Sequence, residues 1–177
     1  SEDIPACEEI LSSLPEWFGL PESNRVFIDG LSRLPAAVAE HEGRIVGFVS
    51  IRAHDPRPAE IEAMAVEPSL HHCGIGRSLI RWVLEWCASE GFVWLHVKTR
   101  GPSTPDAHYD KTRSFYQSVG FDPLFESTTM WGPDDAALIL VRKIEHACGV
   151  VCVPFTAEYI QAAVGCDPVD ARSRSWH

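Results

Sequence analysis

Apolar residues recur along this chain with two periods, and the switches between them mark out its elements. Cys7, Ile10, Leu11 and Leu14 stand at i, i+3, i+4 and i+7, so the chain opens with a helix that buries one stripe and ends at Pro15. A second helix is predicted around Glu22 to Leu34, with Val26, Phe27 and Leu31 on its apolar side and Gly30 as its weak point. Ala36 to Glu40 and Arg44 to Ala53 then flank Glu42-Gly43, a hairpin signal, and Ile45 to Ile51 reads as a mostly buried strand. Pro56-Arg57-Pro58 marks a loop before a β-like run from Glu60 to Val66.

Downstream the helical period returns. Leu79, Ile80, Val83, Leu84, Trp86 and Cys87 form a wide apolar face that stops at Gly91. Phe92 to Lys98 is the next predicted strand, parallel to the Glu60 strand because a helix crosses between them. Gly101 to Asp106 reads as a loop, and Tyr109 to Gly120 as a helix with Gly120 at its C′ position. Leu124 to Trp131 and Ala136 to Lys143 make a final hairpin around Gly132-Pro133-Asp134-Asp135. The order predicts an α+β domain with a mixed sheet.

The stretch Val66-Glu67-Pro68-Ser69-Leu70-His71-His72-Cys73-Gly74-Ile75-Gly76-Arg77 joins a strand to a helix through two alternate glycines. Glycine admits conformations closed to other residues, and free N–H groups with the macrodipole favour an anion at a helix N-terminus. A phosphate-bearing ligand is therefore expected. A Walker loop requires Lys-Ser/Thr after its second glycine, where Arg77-Ser78 follows too short a spacing, and a dinucleotide fingerprint requires glycine or alanine where Leu79 stands.

Val66-Glu67-Pro68 followed by Gly74-Ile75-Gly76 resembles the pyrophosphate loop of the GNAT superfamily of acyl-CoA N-acyltransferases. Ser114-Phe115-Tyr116-Gln117-Ser118-Val119-Gly120-Phe121 is similar to a second landmark of that family, a helix carrying Phe-Tyr and ending in Gly-Phe. The resemblance covers about residues 3–144. It implies a GNAT fold: helices around a mixed, mostly antiparallel sheet with splayed parallel central strands. The family normally begins with a strand, which is expected to be missing here because the sequence opens on the first helix. Residues 1–145 then form the acyltransferase domain and 146–177 a C-terminal extension. Within it Gly149 to Phe155 is β-prone and is expected to pack as an extra strand, on its own sheet or across a homodimer interface.

The chemistry implied is transfer of an acetyl group from acetyl-CoA to a primary amine, with no metal. Backbone groups of Met64, Ala65 and Val66 would pair with pantetheine, and those of His72, Cys73, Gly74, Ile75, Gly76 and Arg77 with pyrophosphate. His71 stands where the family has Arg or Gln. Imidazole carries a full charge only below about pH 6.5, so affinity for CoA is expected to vary with pH unless Arg77 supplies the charge. The family's CoA-contacting asparagine is replaced by Tyr109, with Lys98 and Thr99 nearby. Tyr116 is assigned as the donor to the leaving thiolate. An ammonium must lose its proton before attack. Glu60 and Glu62, two apart on one strand and so on one face, are the candidate bases, Glu62 being nearer the cofactor end. Trp17, Phe18, Glu22 and Trp131, with Asp134 beside them, are expected around the acceptor, where aromatic faces and carboxylates suit a cation.

Composition narrows the partners. With 177 residues and 45% hydrophobic content, the chain is long enough for one domain that buries about 70% of its unfolded surface. A net charge of −10 opposes sequence-independent binding to nucleic acid and favours small amines, free or peptide-borne. No apolar run approaches the roughly 20 residues of a membrane span, and the opening Ser-Glu-Asp-Ile-Pro does not read as a signal peptide, so a soluble, cytoplasmic protein is expected. Six cysteines without C-x-x-C spacing read as reduced thiols, mostly buried. Rival readings are a protein lysine or N-terminal acetyltransferase, an enzyme that acetylates charged tRNA, and a non-catalytic CoA-binding module.

Overall fold

The structure, a computed structural model, describes residues 3–132 and 134–146. The strand expected at 149–155 and Cys148, Cys152 and Cys166 lie outside these residues. The described chain runs α1 (Ile4–Ser12), α2 (Pro21–Leu31), β1 (Ala36–His41), β2 (Arg44–Ala53), β3 (Pro58–Val66), α3 (Ile75–Ser89), β4 (Trp94–Arg100), α4 (Ala107–Ser118), β5 (Asp122–Ser127) and β6 (Ala137–Lys143). The strands form one sheet in the order β1-β2-β3-β4-β6-β5. Only β3 and β4 are parallel; the other neighbours are antiparallel. This is the predicted fold class.

Local chemistry places the breaks. Glu42 and Gly43 turn the β1–β2 hairpin with φ of 51° and 75°, both in the left-handed region that a two-residue I′ turn requires. Pro58 is tolerated because it opens β3, where no ladder donor is needed. Asp106 caps α4, its carboxylate accepting from the His108 and Tyr109 amides. That cap starts α4 two residues before the predicted Tyr109.

Alternation along β2 divides the core. Phe48 joins Cys7, Ile10, Leu11 and Leu14 of the α1 region in one cluster. Val49 and Ile51 join Leu79, Ile80, Val83 and Cys87 of α3 in another. Phe48 is fully buried, and Phe48→Ala is expected to cost about 3–5 kcal/mol, read as a lowered midpoint in chemical denaturation.

Three expectations fail in detail. Val26, predicted on the apolar side of α2, is 54% exposed, because α2 ends at Leu31 and packs through Phe27, Ile28 and Leu31. Phe92 precedes β4, its amide bonded to the Cys87 carbonyl and its ring against Trp86. β5 ends at Ser127, so Met130 and Trp131 stand in the connection to β6 instead of in a strand. Of the described cysteines, Cys7 and Cys87 are buried and Cys73 is exposed. Burial raises the Cys7 thiol to about 11 and the Cys87 thiol to about 12, so neither ionises near neutrality.

Candidate active site

The two parallel strands pair only from Pro58–Trp94 to Ile61–Val97. Beyond that point β3 continues against β2 and β4 against β6, and the strands separate. A cleft of about 1440 Å³ opens in the gap. Glu62 to Val66 line it from β3, Lys98 and Thr99 from β4, and α4, the loop before α3 and the α1–α2 connection complete it. Along Ala63–Val66, alternate backbone groups are left without a strand partner on the β4 side.

At one end lies the glycine loop. His72 and Gly74 both adopt positive φ, 65° and 85°, and Gly74 is the N-cap of α3. The first N–H groups of α3 therefore have no acceptor within the helix. Gly76 needs its missing side chain for a different reason: a Cβ there would lie 3.0 Å from the Phe115 ring. His71, His72, Gly74, Ile75, Gly76 and Arg77 all line the cleft. Cys73 does not, its exposed thiol lying 3.7 Å from the His71 carbonyl. The His71 Nε2 is 2.9 Å from the Val66 carbonyl and so braces the loop against the end of β3. Arg77 donates to the Ser118 carbonyl and hydroxyl, tying α3 to the end of α4.

Further along the cleft stands a charged face that strand alternation alone does not describe. Ile51 pairs with Ile61 but Ser50 with Ala63, so Glu62 is an extra residue, a bulge. Without it the alternation of β3 would send Ala63 and Ala65 to the α3 side; with it they pack on the α1 side, while Ile61 remains with α3. Arg52, the register partner of Glu60, is bonded to Glu62. Arg52 Nε and Nη2 donate to the two Glu62 oxygens, each at 2.7 Å. Glu60, 3% exposed, accepts from Lys98 Nζ at 2.7 Å on one oxygen and lies 2.8 Å from His54 Nε2 on the other. His96 is the register partner of Glu60 on β4, and its buried Nδ1 has no partner among the described residues. Burial holds His96 below the ordinary imidazole range, and therefore neutral at pH 7, although Glu60 opposes this.

The Arg52 hydrogen bonds hold Glu62 below the usual carboxylate range, outweighing its partial burial. A depressed native value stabilises the fold above the unfolded value, about 4.3, and this contribution is lost as pH falls through the native one. Glu62→Gln is thus expected to lose about 1 kcal/mol at pH 7, discounted for the exposure of Arg52, and progressively less as the pH falls below the unfolded value. Denaturation curves across that pH range measure it.

On the α4 side Tyr116 lines the cleft with its ring edge-on to Phe115 and Phe121. Burial raises its phenol far above the ordinary value, so it keeps its proton through the neutral range. Trp17 is a bridge rather than a free aromatic wall. Its indole donates to Thr112 at 2.9 Å, its carbonyl accepts from the Tyr109 hydroxyl at 3.4 Å, and its ring meets His108 and His71 edge-on. Tyr109 is thereby engaged with the α1–α2 connection, with Arg100 over its ring. Phe18 and Trp131 line the cleft; Glu22 lies outside it, beside Leu20 and Arg25 in a small separate depression. Asp135, not the neighbouring Asp134, faces the cleft and is paired with Arg100 at 2.7 Å.

Sequence reasoning missed Arg52, His54 and His96. The signal was present: Arg52 on β2 with His54 just past its end, and His96 and Lys98 on β4, stand at alternate positions among apolar residues. Among the described residues no three His, Cys, Asp or Glu side chains come together as a metal site, and no helix is long and apolar enough to cross a membrane.

Comparison with known proteins places this architecture. A model of the acetyltransferase (GNAT) family matches residues 4–121. Mycothiol acetyltransferase of Nocardia farcinica is 31% identical over 99 residues, 54% of this chain and 32% of that protein. The chain spans a third to a half of the length of the curated relatives it matches. The ribosomal-protein-S18-alanine N-acetyltransferase of Escherichia coli has the same fold, with a TM-score of 0.65 at 20% identity over 86% of this chain and 95% of that one. So does an aminoglycoside 6′-N-acetyltransferase complexed with coenzyme A, with a TM-score of 0.66 at 16% identity over 86% and 92%. A family model that matches most of the chain makes it a member of the GNAT acetyltransferase family.

Proposed function

We propose that the protein transfers an acetyl group from acetyl-CoA to the primary amine of a small molecule, the reacting ammonium being the cation that its acidic surface attracts. The observation that carries this is the cleft between diverging β3 and β4 ending on the glycine loop at α3. Its residues fit coenzyme A at both ends. Gly74, Ile75, Gly76 and Arg77 would hold the diphosphate through main-chain N–H groups, with Phe115 filling the space behind Gly76. Thr99 is 3% exposed and lines the cleft, and its hydroxyl has no protein partner among the described residues, so a ligand group in the gap would satisfy it. Free groups of Met64, Ala65 and Val66 would take the pantetheine as an added strand. Bound there, acetyl-CoA supplies the thioester.

The chain's own residues then handle the protons. Glu62 is fully committed to Arg52 and makes a poor base. Glu60 is the better candidate: its oxygens are also paired, with Lys98 and His54, but His54 is 55% exposed and opens a route to solvent, whereas both Glu62 oxygens are held by a guanidinium that cannot accept a proton. An ammonium proton accepted by Glu60 can pass along its hydrogen bond to the His54 imidazole and on to solvent. A backbone N–H of Met64–Val66 polarises the carbonyl under attack. Tyr116, kept protonated by burial, returns a proton to the departing thiolate. A thiol with pKa near 8.5 needs little acid help, so Tyr116→Phe is expected to lower kcat by about 10²-fold, the low end for general acid catalysis, with CoA affinity unchanged. Free thiol released from acetyl-CoA, with and without a mixed amine library, tests the function itself. Amine-dependent release is expected; CoA binding without release in any amine contradicts catalysis and leaves a binding module.

A further inference from the structure

Charge around the cleft is distributed in a way that speaks to the acceptor. Among the described residues, four carboxylates line it: Glu60, Glu62, Asp110 and Asp135. Each is already neutralised by a cation of the chain. Glu60 has Lys98, Glu62 has Arg52, Asp135 has Arg100 and Asp110 has Arg113. Arg77 and Lys111, which also line the cleft, have no carboxylate partner among the described residues. Arg77 stands at the glycine loop, where the coenzyme A diphosphate would meet its charge, so despite an overall charge of −10 the cleft offers the acceptor no unpaired carboxylate among the described residues. An acceptor bearing several ammonium groups would meet no free anion beyond the one that takes the reacting proton.

The walls at the acceptor end are apolar and wet. Leu20 is 70% exposed, Met130 45% and Trp131 45%, and all three line the cleft from two separate connections, α1–α2 and β5–β6. Phe18 and Phe27, in edge-on contact at 5.9 Å, continue the surface inward. Exposed large apolar residues facing one opening from two segments mark a surface that a ligand covers.

We infer that the acceptor is a monoamine carried on an uncharged, apolar body, held by Leu20, Met130 and Trp131 while its single ammonium reaches Glu60. This rests on the proposed acetyl transfer and adds the substrate class. The new bond joins the amine nitrogen to the acetyl carbon and the bond to sulfur breaks; the nitrogen gives up two protons, of which the ammonium's leaves through Glu60 and the second, lost as the amide forms, makes good the one that Tyr116 gives the thiolate. The apolar body takes no part in the chemistry, so it acts on selectivity alone.

The test is thiol release from acetyl-CoA with three sets of acceptors: alkyl and arylalkyl monoamines of increasing length, short peptides with apolar N-terminal residues, and polyamines or aminoglycosides. Activity with the first or second set is expected, with kcat/KM rising about two- to fourfold per added methylene, and the comparison between them tells a free amine from a peptide N-terminus. Met130→Glu and Trp131→Glu should abolish that length dependence and improve polyamines relative to monoamines, while CoA affinity stays at the wild-type value. Faster reaction with polycations in the wild-type chain, or no length dependence, overturns the inference and leaves acetyl transfer standing. Absence of amine-dependent release across all three sets overturns both.

Discussion

Glu60→Gln is expected to lower kcat/KM by about 10²–10⁴-fold, the range for loss of a positioned base. CoA affinity should be retained, because Glu60 lies on the charged face and away from the glycine loop. The substitution keeps the shape of the side chain but removes the charge that Lys98 and His54 share. Breaking a buried pair by changing one partner commonly costs about 3–5 kcal/mol, so the rate must be measured where circular dichroism shows the variant folded. The pH profile separates the two roles. A base loses the acid limb of kcat/KM when it is replaced, whereas a merely structural carboxylate leaves the limb in place and lowers only the fraction of folded protein. His54→Gln supplies an independent check, since it leaves the Lys98–Glu60 pair intact and removes only the exit to solvent. A rate change of about tenfold or less is expected there, rescued by added imidazole.

Gly76→Val should weaken CoA binding by about 10²-fold, the loss of one or two charge-assisted hydrogen bonds at the loop. Its first added carbon would already meet the Phe115 ring at 3.0 Å, so either the ring or the loop must move. Gly74→Ala probes the other half of the design. Its side chain meets nothing within 4 Å, but its φ of 85° strains any residue with a Cβ by about 1–2 kcal/mol. The two variants therefore differ in kind: the alanine loosens a backbone conformation, and the valine crowds the anion site. Titration with CoA should show the larger loss for valine, and equal losses would remove the steric role assigned to Phe115.

Much of this fold was readable because its elements obey their own periods. The α3 stripe from Leu79 to Cys87 and the Glu42-Gly43 turn needed no knowledge of neighbours. The loop from Val66 to Arg77 was readable because glycine spacing is a backbone property. What was hidden depends on long-range pairing. The bulge at Glu62 exists only as a mismatch of register between β2 and β3, and no residue type announces it. Nor does a sequence say that a glutamate is taken: the Arg52 clamp on Glu62 lies ten residues away, and Lys98 reaches Glu60 from a different strand. Trp17 was placed at the acceptor by its aromatic character, yet its polar N–H, bonded to Thr112, decides its position. Glu22 was placed there by helix proximity and sits on the far side of Leu20. The acceptor end was thus legible in which segments surround it, and illegible in which charges remain free.

Whether main-chain hydrogens at the start of α3 hold a diphosphate is decided by titrating the purified chain calorimetrically with coenzyme A and with pantetheine, which shares the arm but lacks the diphosphate. Coenzyme A should bind in the micromolar range, pantetheine about 10²-fold more weakly, and Gly76→Val should erase most of that difference. Equal affinity for the two ligands, or a difference that survives Gly76→Val, would contradict the assignment of the glycine loop.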